Sequence, residues 1–481
     1  MLYIHLLSCR YTLKKLFLIH LFKNMKRFIH CFFLIFLFSV TPQVQAKKPN
    51  FIIILTDDQG YQDLGCFGSP KIKTPNLDKM AAEGMKFTSF YAQTVCGPSR
   101  ASLMTGSYPM RNEREDDGVI PHPALSLNEV TIPEILKPQG YATGMAGKWD
   151  LQGRKAIPNI GETDLSPCNQ GFDECLWMKA AEAKIIWQGD EILIPRCDRT
   201  TLTKMFTDNA ISFVEKNKDK PFFFYLAHPM PHTPLAASAQ FLGKSKDGLY
   251  GDVIEELDFH TGRLLDKVKE LGLDDNTYIV YYSDNGPWWI KKAHAGHAEP
   301  LRSAKTSTYD GGVRVPFIIR APTKVPAGTT SDLVAASIDL LPTIAKLTGA
   351  KVPKDRVIDG LDISEVFHGK QKALDRPFFF YQYQALRAVR QGDWKLHLVH
   401  TDLDRTKEGK KWLIHVPEKD RPYIEEITLY NLKDDIGETT NVAKQNPKVV
   451  QKLLKQIEYA KKDIGYHDVI GKNSRRKVVK Y

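Results

Sequence analysis

Five consecutive apolar residues, Phe51-Ile52-Ile53-Ile54-Leu55, run straight into Thr56-Asp57-Asp58-Gln59-Gly60. A short run without polar alternation reads as a strand buried on both faces, the pattern of a parallel sheet covered by helices on each side. The pattern recurs. Pro221 to Leu226 carries Phe222-Phe223-Phe224-Tyr225, Thr277 to Tyr282 ends in Ser283-Asp284-Asn285-Gly286, and Val315 to Ile319 supplies one more strand. Pro75 to Met85, Thr131 to Leu136 and Gly251 to Leu271 have helical spacing, and Gly140 to Ala146 reads as a further strand. Alternating strands and helices predict an α/β sheet with helices on both faces.

At 481 residues the chain has room for one large domain and a small one. The texture changes near residue 376. Short strand-like pieces (Arg376 to Gln382, Trp394 to Val399, Glu426 to Asn431) precede a polar helix from Pro447 to Lys462. Residues 47–375 are therefore expected to form the main domain, and 376–481 a smaller α+β domain with a basic tail. Gln152 to Pro195 and Asp404 to Arg421 read as long loops of the kind that shape a cleft.

Residues 1–46 read as a leader. Met25-Lys26-Arg27 gives a basic start, Phe28 to Val40 is almost wholly apolar, and Val44-Gln45-Ala46 offers small residues for cleavage. Met25 is an alternative start. The apolar run is shorter than the ~20 residues a spanning helix needs, so no membrane span is expected after cleavage. The expected location is periplasmic or extracellular.

Net charge is +11, but six Lys/Arg lie in residues 1–46 and five more between Gly471 and Tyr481, with no acid in either segment. The body is close to neutral, which argues against a nucleic-acid partner. Of seven cysteines, Cys66, Cys96, Cys168, Cys175 and Cys197 lie beyond the leader. Export permits disulfides, Cys168, Cys175 and Cys197 are close in sequence, and an odd count leaves at least one cysteine for another fate.

In an open α/β sheet ligands sit beyond the carboxyl ends of the strands. Two buried strands end there in Asp57-Asp58 and Asp284-Asn285. Four oxygen side chains, without His or Cys zinc spacing, suit Ca²⁺, with Mg²⁺ as the alternative. In Cys96-Gly97-Pro98-Ser99-Arg100, Pro98 fits the first turn of a helix, which puts Cys96 at an anion-binding N-terminus with Arg100 beside it. A soft thiolate is badly matched to a hard, oxygen-liganded cation, and an exported free thiol is open to oxidation. A different fate for this cysteine is expected.

Cys-x-Pro-Ser-Arg followed by Leu103-x-Thr105-Gly106 resembles the signature of the formylglycine-dependent sulfatases. The resemblance runs from Lys48 to at least Ala443. It takes in Asn50 to Gly60, Gly140 to Leu151, Pro231-His232-Thr233-Pro234, Ser283 to Pro287, Leu301 to Pro316 and Leu429-Tyr430-Asn431-Leu432. It implies an alkaline-phosphatase-like mixed sheet sandwiched by helices, with a small C-terminal domain. It implies that Cys96 is oxidised to Cα-formylglycine by a formylglycine-generating or anaerobic sulfatase-maturating enzyme. One hydroxyl of the hydrated aldehyde attacks sulfur and the second then expels sulfate.

By motif, Asp57, Asp58, Asp284 and Asn285, with the modified Cys96, look like the metal ligands. Arg100 would hold the diol and the ligands in register. Lys148 and Lys305 would bind sulfate oxygens. His232 would protonate the leaving group. The family usually reads Gly-Lys-Trp-His-Leu-Gly, whereas this chain reads Gly147-Lys148-Trp149-Asp150-Leu151-Gln152. Asp150 stands where the histidine thought to deprotonate the second hydroxyl belongs, and with an ordinary pKa of ~3.9 it is the weaker base.

Trp288 and Trp289 follow the second acidic motif, with Lys291, Lys292, His294 and His297 just beyond. Aromatics beside cations suit a sulfated sugar, so Trp288, Trp289, His297 and Arg302 are candidate substrate contacts on a sulfated polysaccharide or glycosaminoglycan. Two alternatives stay open: a phosphonate or phosphate ester hydrolase of the same superfamily, and a catalytically impaired carbohydrate-binding relative, suggested by Asp150.

Overall fold

A computed structural model of the protein describes residues 47–115, 124–153, 159–370, 374–399 and 426–476, together with 17, 18, 20, 157 and 424. Most of the leader, the expected loop from Asp404 to Arg421 and the last five residues of the basic tail lie outside the described residues. Residues Lys48–Tyr481 form one unit and Met1–Lys47 another. Among the described residues no helix is long and apolar enough to cross a membrane.

The apolar run becomes β1 (Asn50–Thr56), every residue of it buried. Alternation sends its side chains to opposite sides. Phe51, Ile53 and Leu55 enter one core with Ala101, Leu103 and Met104, while Ile52 and Ile54 enter the other with Phe206, Phe213, Val253 and Leu257. This two-sided burial is why the run carries no polar residue.

The main sheet contains β2 (Met85–Tyr91), β3 (Ala142–Lys148), β4 (Glu174–Met178), β5 (Ile186–Gln188) and β6 (Glu191–Ile194). It continues through β7 (Phe222–Ala227), β8 (Thr277–Ser283), β9 (Arg314–Arg320), β10 (Thr329–Ser331) and β11 (Ala335–Ala336). Their order is β10-β2-β9-β8-β1-β7-β3-β4-β5-β6, with β11 also on β2. β1 is central and parallel to β7 and β8, while β9 runs antiparallel to both β8 and β2. Helices cover both faces: α1 (Pro75–Ala82), α4 (Leu202–Lys216) and α5 (Gly248–Glu270) on one, α2 (Cys96–Thr105), α3 (Ile132–Leu136) and α7 (Leu340–Thr348) on the other. A short α6 (Asp310–Val313) leads into β9.

A second, antiparallel sheet follows, formed by β12 (Phe378–Gln382), β13 (Ala385–Gln391), β14 (Trp394–His397) and β15 (Thr428–Asn431). The amphipathic helix Pro447–Asp463 packs on it through Leu453, Ile457 and Ala460. The same cluster includes Tyr91, Tyr108 and Met110, so the small sheet is anchored to the main body by apolar contact.

Two expectations need correction, and the cysteines, left open above, are resolved. The helix expected over Pro75 to Met85 ends at Ala82, and Met85 opens β2. Gly84 turns the chain there, where a Cβ would come within 2.2 Å of the Ile319 carbonyl oxygen. The long loop expected from Gln152 to Pro195 contains β4, β5 and β6, which extend the sheet; their three to five residues are too short to stand out. Among the three neighbouring cysteines, Cys168 and Cys175 form a disulfide, leaving Cys66, Cys96 and Cys197 as thiols.

Candidate active site

β1 and β8 are in register from Asn50↔Thr277 to Thr56↔Ser283, so both strands release the chain at the same level. Asp57 and Asp58 leave one tip and Asp284 and Asn285 the other, all buried. Asp58 takes φ 67°, a left-handed turn that aspartate tolerates better than most residues. α2 begins at Cys96, as Pro98 predicts, and aims its N-terminus at these tips. Ligand atoms of Asp57, Asp58, Cys96 and Asp284 all lie within 4.8 Å of one another.

Cations close the cluster. Arg100, buried one turn into α2, donates to Asp284 from Nη2 (2.9 Å) and Nε (3.2 Å) and to the Lys148 carbonyl (2.6 Å). Lys148, the last residue of β3, donates to Asp57 Oδ2 at 2.6 Å and lies 3.4 Å from Asp150. Asp150 is buried and adopts φ 60°. Lys305 donates to Asp58 Oδ1 and lies 3.3 Å from the Cys96 sulfur. His232 Nδ1–H donates to its neighbour's carbonyl at 2.6 Å, which turns Nε2 toward Asp58 Oδ2 at 3.6 Å.

The Cys96 thiol donates to Asp57 Oδ1 at 3.2 Å. Burial, then Asp284 and Asp57, hold its pKa well above that of an ordinary thiol, so it is no thiolate. Burial also pushes Asp57 up, but Lys148, His232, Arg100 and Lys305 outweigh it and keep the carboxyl well below its usual range. Asp284 moves the other way, raised to about 7 by burial and by Asp57, against Arg100 and Lys148. Four acids (Asp57, Asp58, Asp150 and Asp284) face three fixed cations (Arg100, Lys148 and Lys305). Asp58 Oδ2 and Asn285 Oδ1 are buried acceptors without a hydrogen-bond donor. Unsatisfied buried oxygens beside crowded acids are what a hard divalent cation would satisfy, so these residues fit one.

Of the expected sugar contacts, Trp288 borders the cluster. Its ring is 5.2 Å from that of His232, with Lys305 Nζ at 4.9 Å and Lys291 Nζ at 4.2 Å. Trp289 is half-buried at the start of the next turn. His297 is tied elsewhere: its Nε2 pairs with Asp247 at 2.8 Å and its N–H donates to Asp63. Arg302 lies 4.0 Å over the Tyr309 ring and donates to the Glu438 carbonyl. Sequence reading did not single out Ser99, whose hydroxyl bonds the Asp284 carbonyl, or Tyr225, 3.5 Å from Arg100. Ser99 sits inside the cysteine motif, which was signal enough; Tyr225 looks like any core aromatic.

Acids at two strand tips, a helix N-terminus carrying the reactive position and flanking lysines define a hydrolase of the alkaline-phosphatase-like class. Comparison with known proteins narrows this. The Sulfatase family profile matches residues 49–350, and that for the C-terminal region of aryl-sulfatase matches 374–475. N-acetylgalactosamine-6-sulfatase of Mus musculus is 37% identical over 389 residues, covering 73% of this chain and 72% of that protein. Arylsulfatase A of Homo sapiens is 33% identical over 453 residues, covering 86% and 88%. The solved Bacteroides thetaiotaomicron structure BT33336S-sulf, described with the metabolism of multiple glycosaminoglycans, superposes with TM-score 0.76 at 26% identity, covering 86% of this chain and 100% of that one. The chain belongs to the sulfatase family and is a sulfuric ester hydrolase.

Proposed function

We propose that this is an exported carbohydrate sulfatase that removes sulfate from a polysaccharide or glycosaminoglycan. Cys96, matured to Cα-formylglycine, is its nucleophile precursor, and Ca²⁺ its cation. The observation that carries the reading is the placement of position 96: a buried, neutral thiol 3.2 Å from Asp57 and 3.3 Å from Lys305, where an oxygen would serve and sulfur does not. Relatives named for N-acetylgalactosamine-6-sulfate and a structural neighbour described with glycosaminoglycans support the substrate class. The reading keeps residues 1–46 as leader, 47–375 as catalytic domain and 376–481 as C-terminal domain.

Asp57, Asp58, Asp284 and Asn285 would hold the cation, which together with formylglycine supplies an oxygen nucleophile and a route for releasing the sulfate it takes up. Lys148 and Lys305 each have a carboxylate partner here and would turn toward sulfate oxygens, neutralising charge that builds during transfer. Arg100 fixes Asp284 and the end of β3, so the ligands do not shift as charge moves. His232, with Nδ1–H anchored on a carbonyl, would act from its imidazolium form, Nε2–H giving its proton to the leaving alcohol oxygen; burial disfavours that form and Asp58 and Asp57 favour it. Asp150 would take up a proton when sulfate leaves. Trp288 walls the site beside Lys305 and would exclude water, and half-buried Trp289 would extend the substrate contact outward, whereas His297 and Arg302 are held by Asp247 and Glu438.

Peptide mass spectrometry around Cys96, on protein made with a maturating enzyme, should show the aldehyde or its hydrate. The same preparation should desulfate glycosaminoglycan oligosaccharides in preference to phosphate mono- and diesters. An unmodified thiol with no turnover would leave the carbohydrate-binding alternative in place, and preference for phosphate or phosphonate esters would favour the other.

A further inference from the structure

Lys305 has no helix or strand beneath it. It sits in the segment Leu301–Tyr309, where Ser303 and Thr306 adopt φ 66° and 72°. Such a segment holds its shape only if neighbours over-determine it. Thr94 and Pro287 accept from the backbone N–H groups of Thr306 and Lys305. Gly311 N–H donates to the Arg302 carbonyl at 2.8 Å, and further ties come from the C-terminal domain. Gln382 donates to the Thr306 carbonyl at 2.6 Å. Glu438 closes both ends: its carbonyl accepts from Arg302 Nη1 at 2.7 Å, and its Oε2 accepts from the Asp310 N–H at 2.6 Å.

Glu438 is fully buried. Its Oε1 accepts from His397 at 2.9 Å and faces Lys395 Nζ at 3.1 Å, while Lys395 also donates to Asp310. The residue holds φ 51°, where glycine would be easier, so its side chain must offset a backbone cost. One carboxylate thus joins β14 of the small sheet to the start of α6 and, through the main chain, to the Lys305 segment.

We propose that Glu438 is a positioning residue for sulfate binding: it holds the Leu301–Tyr309 segment so that the Lys305 ammonium stays over position 96. This rests on the reading of Lys305 as a sulfate-binding group. The C-terminal domain then contributes to the reaction without touching substrate, by fixing the angle from which one charge reaches the sulfate.

The test is a double-mutant cycle on the full-length matured protein. Glu438→Gln and Lys305→Ala are made singly and together, with 4-nitrophenyl sulfate for kcat and KM, inorganic sulfate for binding, and thermal melting alongside. Glu438→Asp is the second variant: it keeps the buried charge and shortens the reach to Asp310, His397 and Lys395 alike. With Lys305 present, either Glu438 variant should weaken sulfate binding and lower kcat/KM by about five- to tenfold, the scale of one buried hydrogen bond. In the Lys305→Ala background the same change should cost less than about twofold, because the group it positions is gone. Equal losses in both backgrounds, or a lowered melting temperature with unchanged sulfate affinity, would overturn the inference. Wild-type sulfate affinity and kcat/KM in Lys305→Ala alone would overturn the sulfate-binding reading itself, and the positioning role with it.

Discussion

Among the described residues, two buried ionic clusters are built to opposite rules. At the strand tips, Asp57, Asp58 and Asp284 meet Arg100, Lys148 and Lys305, and buried oxygens of Asp58 and Asn285 still lack donors. At the contact with the small sheet, Asp310 and Glu438 meet Lys395, Arg314 and His397, and every carboxylate oxygen is engaged. Tyr91 adds its hydroxyl to Asp310. Burial raises both Asp284 and Asp310, yet Asp284 stays high while Lys395, Arg314 and Arg390 pull Asp310 well below its usual range. A structural cluster can engage every carboxylate oxygen with its own donors, as this one does, although His397 Nδ1 is left without a partner. A site prepared for a cation and an anionic substrate cannot, since it must leave them something to bind.

The comparison breaks most sharply at Asp284. Asp284→Asn removes a crowded acid, so cation-free protein should melt no lower than wild type. Turnover should nevertheless fall by about a thousandfold or more, on the scale of losing a main electrostatic element of an active site. Calcium should raise the wild-type melting temperature, as any ligand bound only by the folded state must, and this rise should shrink in the variant. Melting curves in calcium and in chelator, beside activity assays, check both halves. A melting temperature that ignores calcium in the wild type would remove the distinction between the clusters.

Lys395→Met does the reverse. It removes the cation that Asp310 and Glu438 share, leaving them to Arg314 and His397 in a buried setting, and breaking such a pair costs about 3–5 kcal/mol. Denaturant unfolding should report that loss. Because the folded-state pKa of Asp310 is depressed, its contribution is complete above the ordinary carboxylate range and drains away as pH falls toward the folded value. The stability gap between wild type and Lys395→Met should therefore narrow below about pH 4. A gap that is constant from pH 7 to pH 3 would mean that the lysine contributes packing rather than charge.

The two clusters were also unequally legible in the sequence. Asp57, Asp58, Asp284 and Asn285 announce themselves because apolar runs end on them, and a buried strand that stops at two acids has few other uses. Cys96 was legible from Pro98 and Arg100, and the helix begins where the proline implies. Glu438 was not. In Asp434-Asp435-Ile436-Gly437-Glu438-Thr439 it looks like one more solvated charge, and only the fold brings β14 and the start of α6 around it. β2 was missed for a related reason: Lys86, Thr88 and Ser89 break up its apolar residues, Lys86 and Thr88 at half-buried positions and Ser89 at a buried one. The Cys168–Cys175 pairing needed geometry, since three neighbouring cysteines allow three pairs.

A smaller effect than that of Asp284→Asn or Lys395→Met concerns Asp150, which touches the open cluster through Lys148 at 3.4 Å. A histidine at this position would add no negative charge; an aspartate does, and Lys148 is then held between Asp57 and Asp150. Burial lowers the Lys148 pKa, but Asp150 and Asp57 outweigh it and keep the ammonium charged. The acid therefore secures the cation proposed to bind sulfate, and would compete with sulfate for it. If Asp150 also accepts the proton on sulfate release, Asp150→Asn should spare the first, transfer phase of a pre-steady-state burst. Steady-state turnover should fall by about a hundredfold, the lower end of general-base contributions, because aspartate is the weaker base. Equal losses in burst and steady state would assign Asp150 to holding Lys148 alone. The site would then have given up a base and kept a tether, and the remaining turnover would depend on water for that proton.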